Sequence, residues 1–294
     1  MSDRKIKLIY FLEVIADFFK LIRIQNLLIL AFTQYFARVF LIGSSLNYYQ
    51  VILESEIFFI SICTAMVAAA GYIINDYYDI KIDMLNKPNR VVLNKHISRR
   101  MGIFLHVAIN GSAAVLAYFT LSFNVSLFII LCSFLLWLYS NYLKRTAFWG
   151  NLCIAFLAFG TLFMIGLFYK KNMDFILLFG FFAFATTLIR EVIKDVEDIR
   201  GDMFHGCKTL PIVIGIKRTK IVLYIMIVLM TMCLSFTFLF LNKWLFLYLL
   251  VFTIVPMSFL IYKLSIAQQK KDFHTASTLV KIIMIVGIAG MVLV

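Results

Sequence analysis

The stretch "SICTAMVAAAGYIINDYYDIKID", residues 61–83, passes from apolar to acidic side chains without a turn signal between them. Its first part is mostly small or apolar, whereas Asp76, Asp79 and Asp83 then follow within eight residues. A helix needs about 20 mostly apolar residues to cross the hydrocarbon layer of a membrane. The stretch therefore predicts a membrane-spanning helix that leads directly into concentrated negative charge at the edge of the bilayer.

The composition of the whole chain also indicates a membrane protein. The chain is 63% hydrophobic and 15% charged, whereas soluble domains are about 45–50% apolar and about 25% charged. The net charge of +13 could indicate a nucleic-acid partner. However, the basic residues fall between apolar segments and form no long basic tail, so no nucleic acid is expected. The five cysteines show no paired spacing, which predicts neither a disulfide nor a cysteine metal site.

Nine apolar segments are candidates for membrane-spanning helices, and the fold class expected is therefore an all-α membrane protein. The region 1–20 mixes charged and apolar residues and lacks the clean apolar centre of a signal peptide, which favours an interfacial helix. With no linker or low-complexity tract, residues 1–294 are expected to form a single membrane domain. The predicted spans are 22–42, 57–75, 102–121, 124–140, 149–169, 174–190, 220–241, 244–263 and 278–294.

The distribution of basic residues tests this count of spans. If the N-terminus is cytoplasmic, 24 of the 28 Lys and Arg residues lie on the cytoplasmic side, in agreement with the positive-inside rule. An odd number of spans places the C-terminus on the opposite side. The two long loops, 76–101 and 191–219, are then both cytoplasmic, and the polar residues of the protein concentrate on that face.

A second acidic stretch repeats the spacing of the first. "REVIKDVEDIRGD", residues 190–202, contains Asp195, Asp198 and Asp202, so both stretches read D-x-x-D-x-x-x-D. On a helix these offsets place the three carboxylates of each motif on one face. The two stretches together hold eight of the fifteen acidic residues of the chain, and both follow an even-numbered span. Because like charges at this helical spacing repel one another, each motif needs a counter-charge.

Carboxylate oxygens in such clusters suit hard cations, and Mg²⁺ in particular bridges a few carboxylates to substrate phosphates. Two facing motifs could hold metal ions around a diphosphate. Two other interpretations stay open at this point: solvated loop charges, and the acidic vestibule of a cation-dependent transporter. The second is disfavoured because no acid lies in the middle of a predicted span.

Polar and basic residues accompany the motifs. The positive-inside bias accounts for most of the basic ones individually, and a subset is expected to contact phosphate. Polar residues near the inner end of the first span, "RIQN" at 23–26, are expected to face the bundle interior or a cavity. The candidates for substrate binding are Arg23, Asn26, Asn75, Lys87, Arg90, Tyr139, Lys144, Arg190 and Lys194.

These residues resemble a known family. "NDYYDIKID" and "DVEDIRGD" are similar to the two aspartate-rich motifs of the UbiA-type intramembrane prenyltransferases, and "NKPNR", Tyr139 with Lys144, and Gly150-Asn151 also fit. The resemblance covers essentially the whole chain. It implies nine helices around a central cavity, Mg²⁺ between the motifs, and transfer of a prenyl group from a prenyl diphosphate to a lipophilic acceptor. Metal binding would fall to Asp76, Asp79, Asp83, Asp195, Asp198 and Asp202.

A narrower resemblance concerns the acceptor. "REVIKDVEDIRGD" followed by "GCKTLPIVIG", residues 206–215, is similar to the archaeal-type digeranylgeranylglyceryl phosphate synthase branch and its bacterial relatives. This implies a prenylglyceryl phosphate hydroxyl as acceptor, and prenylation of an aromatic ring in quinone biosynthesis is the alternative.

The ring of Tyr139 could shield a carbocation or belong to an interfacial aromatic belt. The resemblance implies a bacterial or archaeal cell membrane, and the distribution of basic residues predicts an active site on its cytoplasmic side; neither indicates a protein partner.

Overall fold

The computed structural model of this chain describes residues 3–43, 47–86, 93, 97–236 and 243–294, with side chains for all of these except 3–11, 48 and 81–86. Nearly all described residues are helical, and within these ranges no strand forms beyond one isolated bridge. The α-helices are α1 (Asp3–Leu21), α2 (Ile24–Ala37), α3 (Tyr48–Ile52), α4 (Ser55–Asn86), α5 (Arg99–Thr120), α6 (Phe123–Asn141), α7 (Trp149–Tyr169), α8 (Met173–Phe204), α9 (Leu210–Ile214), α10 (Ile216–Phe236), α11 (Lys243–Leu249), α12 (Val255–Ile266) and α13 (Lys270–Ala289).

Nine helical segments in the described ranges are long and apolar enough to cross a membrane, and each corresponds to one of the nine predicted spans. The chain is an all-α integral membrane protein. Short π-helical turns extend α2 and connect α11 to α12, so that each of these spans is one continuous segment. The segments are Ile24–Ile42, Ser55–Ile80, Arg99–Thr120, Phe123–Asn141, Trp149–Tyr169, Met173–Phe204, Ile216–Phe236, Lys243–Ile266 and Lys270–Leu293.

The helices that carry the acidic motifs are longer than the sequence predicted. Loops were expected to begin at residues 76 and 191, but α4 and α8 each continue for 32 residues. The reason is that apolar residues recur on one face beyond the predicted ends, and Ile80, Val192 and Val196 are buried there. A 32-residue helix is about 48 Å long, whereas the hydrocarbon layer is about 30 Å thick. The motifs therefore lie on helical turns that extend past the apolar part of each span.

The ninth span also begins earlier than predicted, at Lys270 instead of residue 278. The polar sequence before residue 278 suggested a loop, but it contains a capping box between Gln269 and Asp272. Each of these side chains satisfies a backbone N–H group of the first turn, which stabilises a helix start in a polar sequence. The helix therefore begins two turns earlier than hydropathy alone predicted.

The chain divides into two compact units. The first comprises the described parts of residues 1–33 and 52–141. In this unit α4 packs against both α5 and α6. His106 of α5 donates from Nδ1 to the Ala70 carbonyl of α4 (2.9 Å), and Ser133 of α6 donates to Asn110 of α5 (2.7 Å). Such polar pairs tie membrane helices together because each polar group needs a partner away from water.

The second unit comprises the described parts of residues 34–51 and 142–294, and α8 lies at its centre. This helix packs against α7, α10 and α13. The core is formed by side chains from several of these helices, including Val192, Val196, Leu223 and Phe273. The second acidic motif therefore stands on a helix whose other faces are held by buried contacts.

A buried arginine fixes the end of the first span within this second unit. Arg38 is 5% exposed, donates from Nη1 to the Gly43 carbonyl (3.1 Å), and lies 4.6 Å from the centre of the Tyr169 ring. A cation–π pair contributes about 0.5–1 kcal/mol when it is exposed and about 2 kcal/mol or more when it is desolvated, and here the arginine is buried whereas the Tyr169 ring is partly exposed. A double-mutant cycle with Arg38→Met and Tyr169→Leu should therefore give a coupling of about 1–2 kcal/mol in the free energy of unfolding, measured in detergent. A coupling near zero would contradict this role.

Candidate active site

The first acidic motif forms an ion pair with the turn between α1 and α2. Nη2 of Arg23 lies 2.8 Å from Oδ1 of Asp76, and the two side chains are 43% and 16% exposed. Arg23 has a φ of +52°, in the left-handed region that non-glycine residues seldom adopt. This backbone turn directs the chain from α1 into the first span and brings the guanidinium to α4. Arg23 therefore lies beside the first motif, and its predicted contact with substrate stays a prediction.

An aromatic ring supports the same arginine. The guanidinium carbon of Arg23 lies 4.7 Å from the centre of the Tyr72 ring, and Asn26 donates from Nδ2 to the Tyr72 hydroxyl (3.2 Å). Tyr72 precedes Asp76 by one helical turn, so both side chains lie on the same face of α4. Sequence reasoning missed Tyr72, although its i,i+4 spacing to the motif was a usable signal.

Within the motif itself, Asn75 donates from Nδ2 to Oδ2 of Asp79 (2.9 Å). The amide therefore orients a carboxylate one turn later, and the predicted role of Asn75 in substrate binding stays a prediction. Asp83 lies on α4, but its side chain is outside the described part of the structure, as are Lys87 and Arg90 altogether. Their predicted roles stay predictions.

The second motif is oriented from α7. Asn151 is 8% exposed and donates from Nδ2 to Oδ2 of Asp195 (2.8 Å). Gly150 precedes it in the first turn of α7, where the backbone lies close to the turn at Leu143–Arg145. The Gly-Asn pair was noted in the sequence as part of the family resemblance, but neither residue was given a role. Asn151 and Asp195 are 44 positions apart, so no local pattern predicts their contact.

Two of the predicted substrate-binding cations contact Glu191 in the structure. Lys194 lies 2.8 and 2.9 Å from the two carboxylate oxygens of Glu191, and Arg190 lies 3.3 Å from one of them. The spacing of i,i+3 between Glu191 and Lys194 explains their pairing, since such residues are neighbours on a helix surface. Both cations therefore neutralise the glutamate next to the second motif, and their predicted contact with substrate stays a prediction.

Two further residues, from the start of α13, reach the second acidic stretch 190–202, and sequence reasoning missed both contacts. Nζ of Lys270 lies 3.3 Å from Oδ1 of Asp198, and Nδ1 of His274 lies 3.0 Å from Oε1 of Glu197. No local signal connects residues 72 and 77 positions apart, although the basic sequence "KKDFH" at 270–274 could have drawn attention to this helix start.

The remaining candidates lie at or just beyond the end of α6. Tyr139 is in the last turn of α6, and Lys144 is in the 3₁₀ turn Leu143–Arg145; both are partly buried. That turn is fixed to the segment after α8 by a hydrogen bond from the Lys208 N–H to the Arg145 carbonyl (2.9 Å). Lys144 therefore lies on a stabilised turn adjacent to α7, and the roles of both residues stay predictions.

The donor chemistry of these motifs fits a hard divalent cation. Asp76, Asp79, Asp195 and Asp198 each supply a carboxylate group, and carboxylate oxygens suit Mg²⁺. Among the described residues, no three His, Cys, Asp or Glu side chains converge into a ready metal site. Magnesium does not require one, because it commonly uses one or two carboxylates together with water and substrate phosphate oxygens.

An all-helical membrane fold with two acidic motifs, each contacted by a cation from outside its own helix, is typical of membrane enzymes that handle charged groups at the bilayer edge. Residues 37–285 match the family described as UbiA prenyltransferases. The chain is 34% identical to a digeranylgeranylglyceryl phosphate synthase of Methanosphaera stadtmanae, over 84% of this chain and 88% of the relative. It is 32% identical to the enzyme of the same name from Korarchaeum cryptofilum, over 78% and 82%. The chain belongs to the UbiA prenyltransferase family.

Solved structures share the fold. A structure of digeranylgeranylglyceryl phosphate synthase in membranes aligns with a TM-score of 0.73 at 21% identity, over 96% of this chain and 98% of the other. A UbiA homologue from Archaeoglobus fulgidus, bound to GPP and Mg²⁺, aligns with a TM-score of 0.66 at 15% identity, over 95% and 100%. The predicted fold class is confirmed by these neighbours, and the predicted family by the sequence relatives.

Proposed function

We propose that this chain transfers a prenyl group from a prenyl diphosphate to the free hydroxyl of a prenylglyceryl phosphate and releases pyrophosphate. The observation that carries the proposal is the pair of identically spaced aspartate motifs, each at the polar end of a long spanning helix. Support for the acceptor comes from the relatives named digeranylgeranylglyceryl phosphate synthase, which match most of this chain.

The proposed binding of the prenyl donor divides its two parts between two environments. The spans supply an apolar surrounding for the prenyl tail, and the ends of α4 and α8 supply the groups that meet the diphosphate. We assign metal binding to Asp76, Asp79, Asp83, Asp195, Asp198 and Asp202. Bound Mg²⁺ would supply charge neutralisation for the diphosphate leaving group.

The basic residues of the chain would assist the same bond cleavage. As the allylic carbon–oxygen bond breaks, its electron pair goes to the diphosphate, and negative charge grows there. Arg23 is positioned by the Tyr72 ring beside Asp76, so its remaining N–H groups are oriented before substrate arrives. Preorganised donors of this kind stabilise developing charge effectively because they need little rearrangement. Lys87, Arg90, Lys144, Arg190 and Lys194 are the further candidates for phosphate contacts, and Asn26 and Asn75 for orienting the site.

The orientation of the protein is part of this proposal. A cytoplasmic N-terminus puts 24 of the 28 basic residues on the cytoplasmic side, and the positive-inside rule therefore supports this orientation, with both motifs on that side. The C-terminus is then on the opposite side. We assign the protein to the cell membrane of a bacterium or archaeon, with α1 lying at the interface and residues 1–294 acting as one membrane domain.

The proposal predicts a specific acceptor and metal requirement. Purified protein supplied with geranylgeranyl diphosphate, Mg²⁺ and geranylgeranylglyceryl phosphate should release pyrophosphate and form an equimolar ether-linked product, measured by phosphate assay and mass spectrometry. Removal of Mg²⁺ by EDTA should reduce the rate to background, and added Mg²⁺ should restore it.

Two controls separate this function from the alternatives. With 4-hydroxybenzoate or a naphthoate as acceptor, product should be absent; prenylation of either in preference to the glyceryl phosphate would replace the proposed acceptor by an aromatic one. In proteoliposomes, metal-dependent solute flux without any prenylated product would instead support the transporter interpretation and refute prenyl transfer.

A further inference from the structure

The first turn of α13 brings a basic side chain to the second acidic motif. Nζ of Lys270 lies 3.3 Å from Oδ1 of Asp198, while His274, one turn later, lies 3.0 Å from Glu197. Both contacts join the same two helices, α8 and α13, which pack against each other. Phe273 and Ala276 are buried in the core of the second unit next to Val196, so the backbone of this turn is held in place.

The position of Asp198 on its helix gives Lys270 access to the motif face. At about 100° per residue, Asp198 lies about 60° from Asp195, whereas Glu197 lies about 160° away from it. His274 therefore contacts the flank of α8 that is turned from the motif, and Lys270 reaches the edge of the carboxylate face. The histidine contact lies outside the predicted metal-binding set, whereas the lysine contact involves one of its members.

The Lys270–Asp198 pair has the properties of an exchangeable contact. The side chains are 66% and 31% exposed, and their separation of 3.3 Å is long for an ammonium–carboxylate bond. Exposed pairs of this kind contribute about 0–1 kcal/mol. Lys194 differs, because it lies within 2.9 Å of both oxygens of Glu191 and is 38% exposed. Of these two lysines, Lys270 is the one that can leave its carboxylate at little cost.

We infer that Lys270 is a substrate-binding residue that pairs with Asp198 and turns to a phosphate oxygen of the substrate when Asp198 ligates a divalent cation. The inference rests on the proposed function. One Asp198 oxygen cannot accept both the ammonium and a cation at full strength, so the two compete. The ammonium then has three donors and a flexible four-carbon stem with which to contact a phosphate nearby. That phosphate belongs either to the prenyl diphosphate or to the phosphomonoester of the acceptor.

The test compares Lys270→Met with Lys271→Met in the full chain, in detergent or nanodiscs. The two lysines are adjacent and exposed, and Lys271 has no assigned role. Binding of Mn²⁺ alone, measured by electron paramagnetic resonance, should become about threefold tighter in Lys270→Met because its competitor is removed. Binding of either geranylgeranyl S-thiolodiphosphate or geranylgeranylglyceryl phosphate, each with Mg²⁺, should weaken about tenfold. Lys271→Met should change each constant less than twofold, and Lys270→Arg should retain substrate binding.

The opposite signs of the two effects distinguish this role from a structural one. A purely structural pair would weaken metal and substrate binding together, and that result would overturn the inference. Unchanged binding of both phosphate ligands would overturn it equally. The phosphate ligand whose binding weakens in Lys270→Met identifies which phosphate Lys270 contacts. If the wild type binds these ligands but forms no prenylated glyceryl phosphate, the proposed function fails while the binding comparison still decides the role of Lys270.

Discussion

Replacement of Asp79 or Asp198 by Asn is expected to lower the turnover number for prenyl transfer at least a hundredfold. Each change keeps the size of the side chain but removes an anionic oxygen ligand, and loss of transition-state charge stabilisation of this type commonly costs about 10²–10³-fold. In Asp79→Asn, the hydrogen bond from Asn75 to the former carboxylate is also weakened. Turnover is measured as pyrophosphate release at saturating substrate and Mg²⁺.

Matched controls exist on the same two helices. Glu56 is in the first turn of α4 and Asp174 is in the first turn of α8, at the opposite helix ends from the motifs. Glu56→Gln and Asp174→Asn remove the same formal charge and should change turnover less than twofold. Full activity of both motif variants would remove the basis for assigning the acidic motifs to metal binding.

The spans of this protein were predictable because the physical requirement behind them is local. About 20 consecutive apolar residues suffice to cross the hydrocarbon layer, and that condition can be read from sequence without knowing any tertiary contact. The ends of α4 and α8 were harder to predict, because hydropathy falls where the carboxylates begin although Ile80 and Val196 continue the buried face of each helix. At a membrane boundary, an apolar segment and the helix that contains it can end at different residues.

The candidate site shows the same division between local and distant interactions. The pairing of Asn75 with Asp79 and of Glu191 with Lys194 follows from helical spacing, so the sequence contains enough information to expect it. The contacts of Asn151 with Asp195 and of Lys270 with Asp198 join different helices. Such contacts depend on how the helices pack, and the periodicity of a single sequence does not predict which residues of two distant helices will meet.

Each unit balances its motif with a cation from outside the helix that carries the motif. Arg23 contacts Asp76 in the first unit, and Lys270 contacts Asp198 in the second. Their supports differ, because Arg23 stacks on Tyr72 whereas Lys270 is 66% exposed. A stacked arginine is a fixed positive charge, and a solvent-exposed lysine is a mobile one. The two cations are therefore expected to play unequal parts when a diphosphate binds.

Substitution of Gly150 by alanine is expected to impair both stability and activity, although it adds a single methyl group. A Cβ atom at this position would lie 2.9 Å from the Leu143 carbonyl oxygen and 2.9 Å from the Lys144 Cα atom. Both are backbone atoms of the turn before α7, so they cannot rotate away as a side chain could. Overpacking of this kind costs about 1–3 kcal/mol. The strain acts next to Asn151, whose amide orients Asp195, and turnover should fall about tenfold.

Gly111→Ala is the matched control for this prediction. Gly111 lies within α5, and nothing approaches within 4 Å of the position that its Cβ would occupy. Alanine has the higher helix propensity, by up to about 1 kcal/mol, so this variant should have unchanged turnover and an unchanged or higher midpoint of thermal unfolding. Gly150→Ala should show a lower midpoint in the same detergent. If both variants behave alike, the close backbone approach does not constrain α7, and orientation of Asp195 by Asn151 does not depend on the glycine.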